Sequence, residues 1–149
     1  MFSEEALISM ADGSIKHINT LKPGDLIINK LSKPVKVRKL TSHTANVVTL
    51  QLNNGTGVFY VEPNAQFLCH HITNAEHTCH FDILADIHVH GGYLKNSMKV
   101  FSPESDVSIS NYDASNVSLT KTVYCIESIG DSTNSYIVNG VIASCSEPI

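Results

Sequence analysis

The chain has 149 residues, of which 42% are hydrophobic, as expected for a single domain with one core. Its formal charge of −4 and its pI near 6.0 provide no broad basic surface, so nucleic acid and membranes are not expected partners. The longest apolar runs, such as Leu26-Ile27-Ile28, are too short to cross a bilayer, and no targeting segment is recognisable. The cellular location stays open.

The N-terminal part alternates short apolar segments with tight turns. Strands are predicted over Ala6 to Ser9, Ile15 to Ile18 and Leu26 to Asn29. They are separated by Ala11 to Ser14 and Lys22 to Asp25, where glycine, aspartate and proline favour reversed backbone conformations. This spacing is typical of a β-rich domain.

The same pattern continues toward the C-terminus, and no segment shows a sustained helical stripe. Strands are predicted over Val35 to Arg38, Val47 to Leu52, Val58 to Val61, Val123 to Ile126, Tyr136 to Val138 and Val141 to Ala143. The pairs Asn54-Gly55 and Asn139-Gly140 mark turns between them. The sequence therefore predicts an all-β fold over residues 1–149.

Two segments depart from this pattern. Residues 69–99 contain six of the eight histidines, all between His70 and His90, and are expected to be an insertion into the domain. Residues 102–116 are rich in serine, aspartate and asparagine, which predicts an exposed polar loop.

The four cysteines, Cys69, Cys79, Cys125 and Cys145, are too few and too scattered for a disulfide-dense scaffold. Each is expected to have its own role. The competing interpretation for each is a small buried apolar side chain.

Several stretches together resemble the conserved blocks of a known superfamily. They are Phe2 to Ser14 (FSEEALISMADGS), Ile18 to Asp25 (INTLKPGD), Val61 to Leu68 (VEPNAQFL), Val123 to Glu127 (VYCIE) and Tyr136 to Cys145 (YIVNGVIASC). In this order they resemble the first, central and last blocks of the Hint (hedgehog/intein) superfamily, as in a mini-intein or a bacterial intein-like domain. The first block is the most specific, and the last is hedgehog-like.

The resemblance implies a horseshoe-shaped β-fold with pseudo-twofold halves and neighbouring chain ends. It also implies self-catalysed processing, in which a first-residue cysteine takes the upstream acyl group by an N-to-S shift and another nucleophile opens the thioester. The basic reaction requires no cofactor. The implied partners are the flanking segments of the chain's own precursor.

Several positions depart from the family pattern. Met1 occupies the place of the cysteine nucleophile, and its thioether cannot form a thiolate, so an N-to-S shift at this residue is excluded. Glu62 and Ala65 occupy the places of a threonine and a proton-donating histidine, while Asn64 remains as a hydrogen-bonding group. Either Ala65 replaces a histidine, or the domain activates its bond differently, for instance through His70 or His71.

The last blocks supply the remaining candidates. By resemblance, Cys125 stands where relatives have aspartate or cysteine near the first nucleophile, and it is the best surviving catalytic candidate. Asn134 aligns with a frequent histidine, and Ser144 and Cys145 align with the terminal histidine and asparagine. Because Cys145 stands in place of the terminal asparagine, no residue at that position can undergo asparagine cyclisation. Opening of the thioester by water, an amine or a thiol is favoured over splicing.

The histidine-rich segment also offers donors for a metal. They are His77, Cys79, His80, His88 and His90. Residues two apart share a face of an extended strand, so these side chains could converge on one ion. Imidazole and thiolate are ligands that Zn²⁺ takes in proteins, and a bound ion would either fix the segment or bridge two molecules. The alternative is a set of exposed histidines.

The leading function is therefore self-processing, expected to be inactive in this sequence because of Met1. The alternative is a catalytically inactive Hint-like module that binds metal or a protein partner through its histidines. An ordinary β-rich interaction domain is disfavoured by the order of the blocks.

Overall fold

The computed structural model describes residues 1–90, 93–96 and 106–146, and these form an almost entirely β structure. In chain order the elements are β1 (Leu7–Ser9), β2 (Ile15–His17), β3 (Leu26–Ile28), β4 (Pro34–Asn46), β5 (Val48–Leu52), β6 (Val58–Val61), β7 (Gln66–Thr73), β8 (Glu76–Ile83), α1 (Leu84–His90), β9 (Tyr93–Leu94), β10 (Ile109–Asp113), β11 (Thr120–Ile129), β12 (Ser135–Val138) and β13 (Val141–Ser144). The prediction of an all-β fold is confirmed. No helix among the described residues is long and apolar enough to span a membrane.

Three antiparallel sheets are present in the described part of the chain. The largest has the order β2-β1-β12-β13-β7-β8, with β9 also paired to β7. The other two have the orders β10-β5-β6 and β11-β4-β3. Because β12 and β13 lie between β1 and β7, the large sheet joins segments from both ends of the sequence.

An aromatic cluster anchors the N-terminal segment in the core. The ring centroid of Phe2 lies 6.2 Å from that of Phe59, 5.9 Å from that of Phe67 and 6.3 Å from that of Tyr136. All four rings are buried, and such contacts add to the gain from removing their apolar surface from water. Packing of Phe2 therefore fixes the position of Met1.

Each predicted strand overlaps an observed one, but two polar segments were misjudged. β4 continues far beyond Arg38 because β11 pairs with it as far as Asn46. The predicted loop over residues 102–116 contains β10, which pairs with β5; residues 102–105 lie outside the described part. In both places a partner strand supplies backbone hydrogen bonds, so the segment forms a strand although its polar sequence did not predict one.

The histidine-rich segment is built into the main sheet. Its strand β7 pairs with β13 through Phe67 and Ala143, and it forms a hairpin with β8. The prediction of His88 and His90 as metal ligands assumes an extended strand, but residues 88–90 end α1. This short helix buries Leu84 and Ile87, which lie three residues apart on one face.

Candidate functional site

The backbone nitrogen of Met1 is held beside strand β11. It donates hydrogen bonds to the carbonyl oxygen of Tyr124 at 2.8 Å and to Sγ of Cys125 at 2.7 Å. Phe2 adds two backbone hydrogen bonds, one in each direction, to Tyr124. The first residue is thus aligned with β11 so that its nitrogen meets the Cys125 thiol.

Glu62 closes the opposite side of Met1. Its backbone N–H donates to the carbonyl oxygen of Met1 at 2.9 Å, and its Oε1 lies 3.5 Å from the Met1 nitrogen. The same Oε1 lies 3.2 Å from Nε2 of His43, a half-exposed side chain on β4. The Met1 nitrogen therefore has a thiol on one side and a carboxylate–imidazole pair on the other.

The reactive atoms of these side chains form a compact group. One donor atom each from His43, Glu62 and Cys125 lie within 4.8 Å of one another. Cys125 is buried, whereas His43 opens to solvent. His43 and Glu62 are within hydrogen-bond distance of each other, and the His43 imidazole is a base close to the Cys125 thiol. A neighbouring base is what activates a thiol nucleophile.

A pocket of about 640 Å³ lies next to Met1 and gathers residues from distant parts of the chain. Five of its lining residues were predicted from the sequence: Met1, Asn64, Asn134, Ser144 and Cys145. The strands β7 and β8 also contribute to the wall, through Gln66 and Phe81. The pocket therefore adjoins the residue at which the chemistry was expected.

Cys145 lies in this pocket as a thiol and not as a thiolate. Burial, followed by the negative charge of Asp131, raises the pKa of Cys145 to about 12. Its backbone nitrogen donates to the carbonyl oxygen of Asn134 at 2.9 Å, and its carbonyl oxygen accepts a bond of 3.1 Å from the Ser144 hydroxyl. Cys145 is therefore a poor nucleophile near neutral pH.

Ala65 contributes to the core and offers no proton. Its side chain is buried, its backbone nitrogen donates to the carbonyl oxygen of Glu62 at 3.0 Å, and its own carbonyl oxygen accepts from Leu84 at 2.8 Å. The proposed substitutes, His70 and His71, have other partners: Asp106 for the first and Asp82 for the second. Instead, the histidine next to Met1 is His43.

Within the described part of the chain the predicted metal ligands do not form one cluster, because the histidines contact different neighbours. His77 Nδ1 lies 2.9 Å from Nε2 of His70, whereas the His80 ring stacks on His71 at a centroid distance of 4.0 Å. His88, on α1, stacks on Tyr112 at 4.0 Å. Cys79 is half-buried on β8, and the side chain of His90 lies outside the described part.

Sequence reasoning missed His43. It lies in a polar stretch with no recognisable motif, and it is placed only by the register of β4 with β11, in which His43 faces Val123. Its proximity to Glu62 further depends on how β4 approaches the segment after β6. The local sequence contained no signal that would have identified it.

Comparisons with known proteins identify the fold. No family model matches the sequence, and no curated protein matches it. A bacterial intein-like domain from Clostridium thermocellum is similar in structure, with a TM-score of 0.69 and 17% identity, covering 96% of each chain. A DnaB intein from Synechocystis sp. PCC 6803 has a TM-score of 0.68 and 17% identity, covering 97% of each chain.

The Msm DnaB1 intein splicing domain bound with zinc is also similar, with a TM-score of 0.64 and 13% identity, over 97% of this chain and 98% of that one. These similarities extend over nearly the full length of both partners in each comparison. The chain has the Hint fold. Within that fold it is similar to the compact inteins and the bacterial intein-like domains.

Proposed function

We propose that this chain is a self-processing domain that cleaves the peptide bond preceding Met1 within a larger precursor. The observation that supports this most directly is the Met1 nitrogen, which lies 2.7 Å from Sγ of Cys125 and 3.5 Å from Oε1 of Glu62. The intein-like fold and the adjoining pocket agree with that role.

Cys125 is the proposed nucleophile, because the thioether of Met1 cannot form an acyl bond. In a precursor the Met1 nitrogen would be an amide, and its carbonyl carbon would lie about 1.3 Å from that nitrogen. The Cys125 thiol is then within reach of the carbonyl carbon. Attack forms a carbon–sulfur bond, breaks the carbon–nitrogen bond and leaves a thioester on Cys125 and a free amine on Met1.

His43 and Glu62 are proposed to move the proton. The His43 imidazole takes the thiol proton of Cys125, and the Glu62 carboxylate, 3.2 Å away, stabilises the resulting imidazolium. The proton then passes to the departing Met1 nitrogen. This arrangement replaces the proton donor that Ala65 lacks.

Release of the upstream segment is the proposed outcome, not splicing. Position 145 has a cysteine, which has no side-chain amide and so cannot cyclise as asparagine does. The pKa of its thiol is raised to about 12, so it supplies no thiolate near neutral pH. The side chain of Asn139 accepts a hydrogen bond from Leu7 in the turn between β12 and β13. Water, an amine or an external thiol then opens the thioester.

The test is a precursor with a small folded protein joined directly before Met1. We expect release at this junction that is accelerated by dithiothreitol, with the upstream product carrying the thiol adduct in the mass spectrum. Cys125→Ala should abolish release. Cys79→Ser is the matched control, because Cys79 neither lines the pocket next to Met1 nor belongs to the group formed by His43, Glu62 and Cys125, so the rate should be unchanged.

A second variant separates the roles of the proposed groups. His43→Gln should slow release by about 10²–10⁴-fold near neutral pH, which is the usual contribution of a general base. Release that persists in Cys125→Ala would contradict the mechanism. A wild-type precursor that stays intact, and remains so after Met1→Cys and Ala65→His are introduced together, would favour a Hint module without processing activity.

A further inference from the structure

We propose that the β7–β8 hairpin contains a Zn²⁺ site formed by Cys69, His71 and Asp82, with His80 as the fourth ligand. This site differs from the set expected from the sequence, with which it shares only His80. None of its four residues takes part in the proposed processing reaction, which does not require the metal.

The strand register places the four side chains on one face of the hairpin. Cys69 lies opposite His80, and Phe67 lies opposite Asp82. Residues directly opposite each other in an antiparallel pair project to the same side, as do alternate residues along a strand. His71, two residues after Cys69, therefore shares that side with Cys69, His80 and Asp82.

The donor atoms already lie close together. Cys69, His71 and Asp82 each have one ligand atom within 4.8 Å of the other two. Nε2 of His71 is 2.6 Å from one Asp82 oxygen, and Nε2 of His80 is 3.3 Å from the other. Tetrahedral zinc, with bonds of about 2.0–2.3 Å, needs ligand atoms roughly 3.3–3.8 Å apart, so Cys69, His71 and Asp82 need only small shifts. The His80 ring is stacked on that of His71 at a centroid distance of 4.0 Å, so its side chain must rotate to bring a nitrogen to the same ion.

The chemistry and the accessibility of the group suit zinc. Thiolate, imidazole and carboxylate are the three ligand types that Zn²⁺ takes in proteins. Cys69 is buried at the inner end, whereas the side chains of His71, Asp82 and His80 are 30%, 25% and 55% exposed. An ion can thus enter from solvent and reach the thiol.

The opposite face of the same hairpin provides matched controls. His70, His77 and Cys79 project to that face, where His70 contacts both His77 and the buried Asp106. His77 and Cys79 were expected ligands from the sequence, yet the other face holds the converging thiol, imidazoles and carboxylate. Substitutions on the two faces therefore distinguish the two ligand sets.

The experiment is titration of the purified chain with Co²⁺ alone, followed by displacement with Zn²⁺. We expect visible absorption typical of tetrahedral cobalt together with a thiolate-to-cobalt charge-transfer band, both lost when zinc is added. Cys69→Ser should abolish the charge-transfer band. His71→Gln and Asp82→Asn should weaken zinc binding by at least about tenfold.

The controls fix what would overturn the proposal. Cys79→Ser and His77→Gln should leave the spectrum and the affinity unchanged, as should Cys125→Ala, which removes the thiol beside Met1. Loss of the thiolate band in Cys79→Ser or Cys125→Ala, or no cobalt spectrum at micromolar concentrations, would overturn it. If Cys69→Ser fails to fold by circular dichroism, the half-exposed His71→Gln and Asp82→Asn decide the question.

Discussion

At the scale of single residues, burial of Cys145 is expected to make the stability of the fold depend on pH. Its thiol is buried, and its pKa is raised from 9.0 to about 12 by that burial and then by the charge of Asp131. Above pH 9 the unfolded chain loses this proton while the folded chain retains it. The stabilising contribution is thus fully present below pH 9 and is lost as the pH rises from 9 to about 12.

We therefore expect Cys145→Ala to reduce the alkaline loss of stability. Between pH 9 and 11 the free energy of unfolding of the wild type should fall more steeply than that of the variant, by up to about 1.4 kcal/mol per pH unit. Urea unfolding at several pH values measures this slope. The difference between the two proteins should be constant between pH 7 and 8, and parallel curves above pH 9 would contradict the assignment.

Residue identity alone did not separate the cysteines by role. Burial and the charge of Asp82 raise the pKa of the Cys69 thiol, and Cys145 is similarly protonated, whereas Cys125 lies against the Met1 nitrogen. The sequence singled out Cys125 only through its resemblance to a family block. The thiol's proximity to Met1 depends on the pairing of Phe2 with Tyr124.

At the scale of elements, the β12–β13 turn was predicted from its sequence and is formed as expected. Asn139 and Gly140 have φ values of 47° and 79°, the left-handed conformations that this pair tolerates. The turn is also tied to another loop, because Asn54 Nδ2 donates to the carbonyl oxygen of Asn139 at 2.8 Å. A Cβ on Gly140 would lie 2.9 Å from that same nitrogen.

Gly140→Ala should therefore cost more stability than the same change in a free turn. We expect a loss of about 2 kcal/mol, combining backbone strain with disruption of the Asn54 hydrogen bond. Gly13→Ala is the matched control, since Gly13 has a φ of 86° and open space around its Cβ position, and should cost about 1 kcal/mol. Equal losses of stability for Gly140→Ala and Gly13→Ala in chemical denaturation would contradict this account. So would a larger loss for Gly140→Ala that persists when both changes are made in the Asn54→Ala variant.

Other elements were less predictable from local sequence. The alternation of apolar and charged residues from Val35 to Arg38 identified the start of β4, but the later residues of this strand are mostly exposed and polar. They are strand because β11 runs beside them through Cys125 and Val123. Likewise, β10 has a polar sequence and depends on β5 for its hydrogen bonds.

At the scale of the whole molecule, the last three strands pair with strands from the N-terminal part and the middle of the chain. β11 pairs with β4, β12 with β1, and β13 with β7, so this segment contributes to two sheets. Of these three strands, only β12 and β13 pair with each other. The segment preceding β11 is exposed at Ser115 and Asn116, and local side-chain hydrogen bonds lie on either side of that peptide bond.

We expect fragments 1–115 and 116–149 to be unfolded separately and to fold when mixed. Amide NMR spectra should change from poorly dispersed to native-like on mixing, because the second fragment restores the missing strands of both sheets. A Val141→Asp fragment is the control, since it would place a charge at a fully buried position. Native-like dispersion of either fragment alone would contradict the shared core.

The all-β class, most strand positions and the tight turns could be predicted from the sequence, because alternating apolar residues and turn residues such as Asn-Gly constrain the backbone locally. Resemblance of its blocks also indicated the Hint fold and named Asn64, Asn134 and Cys145 as candidate site residues, which line the pocket next to Met1. Which side chains come into contact could not be predicted, because it depends on strand pairing and register. His43 reaches Glu62 beside Met1, and Cys69 joins His71 and Asp82, through strand pairings between residues far apart in the chain or through hairpin register.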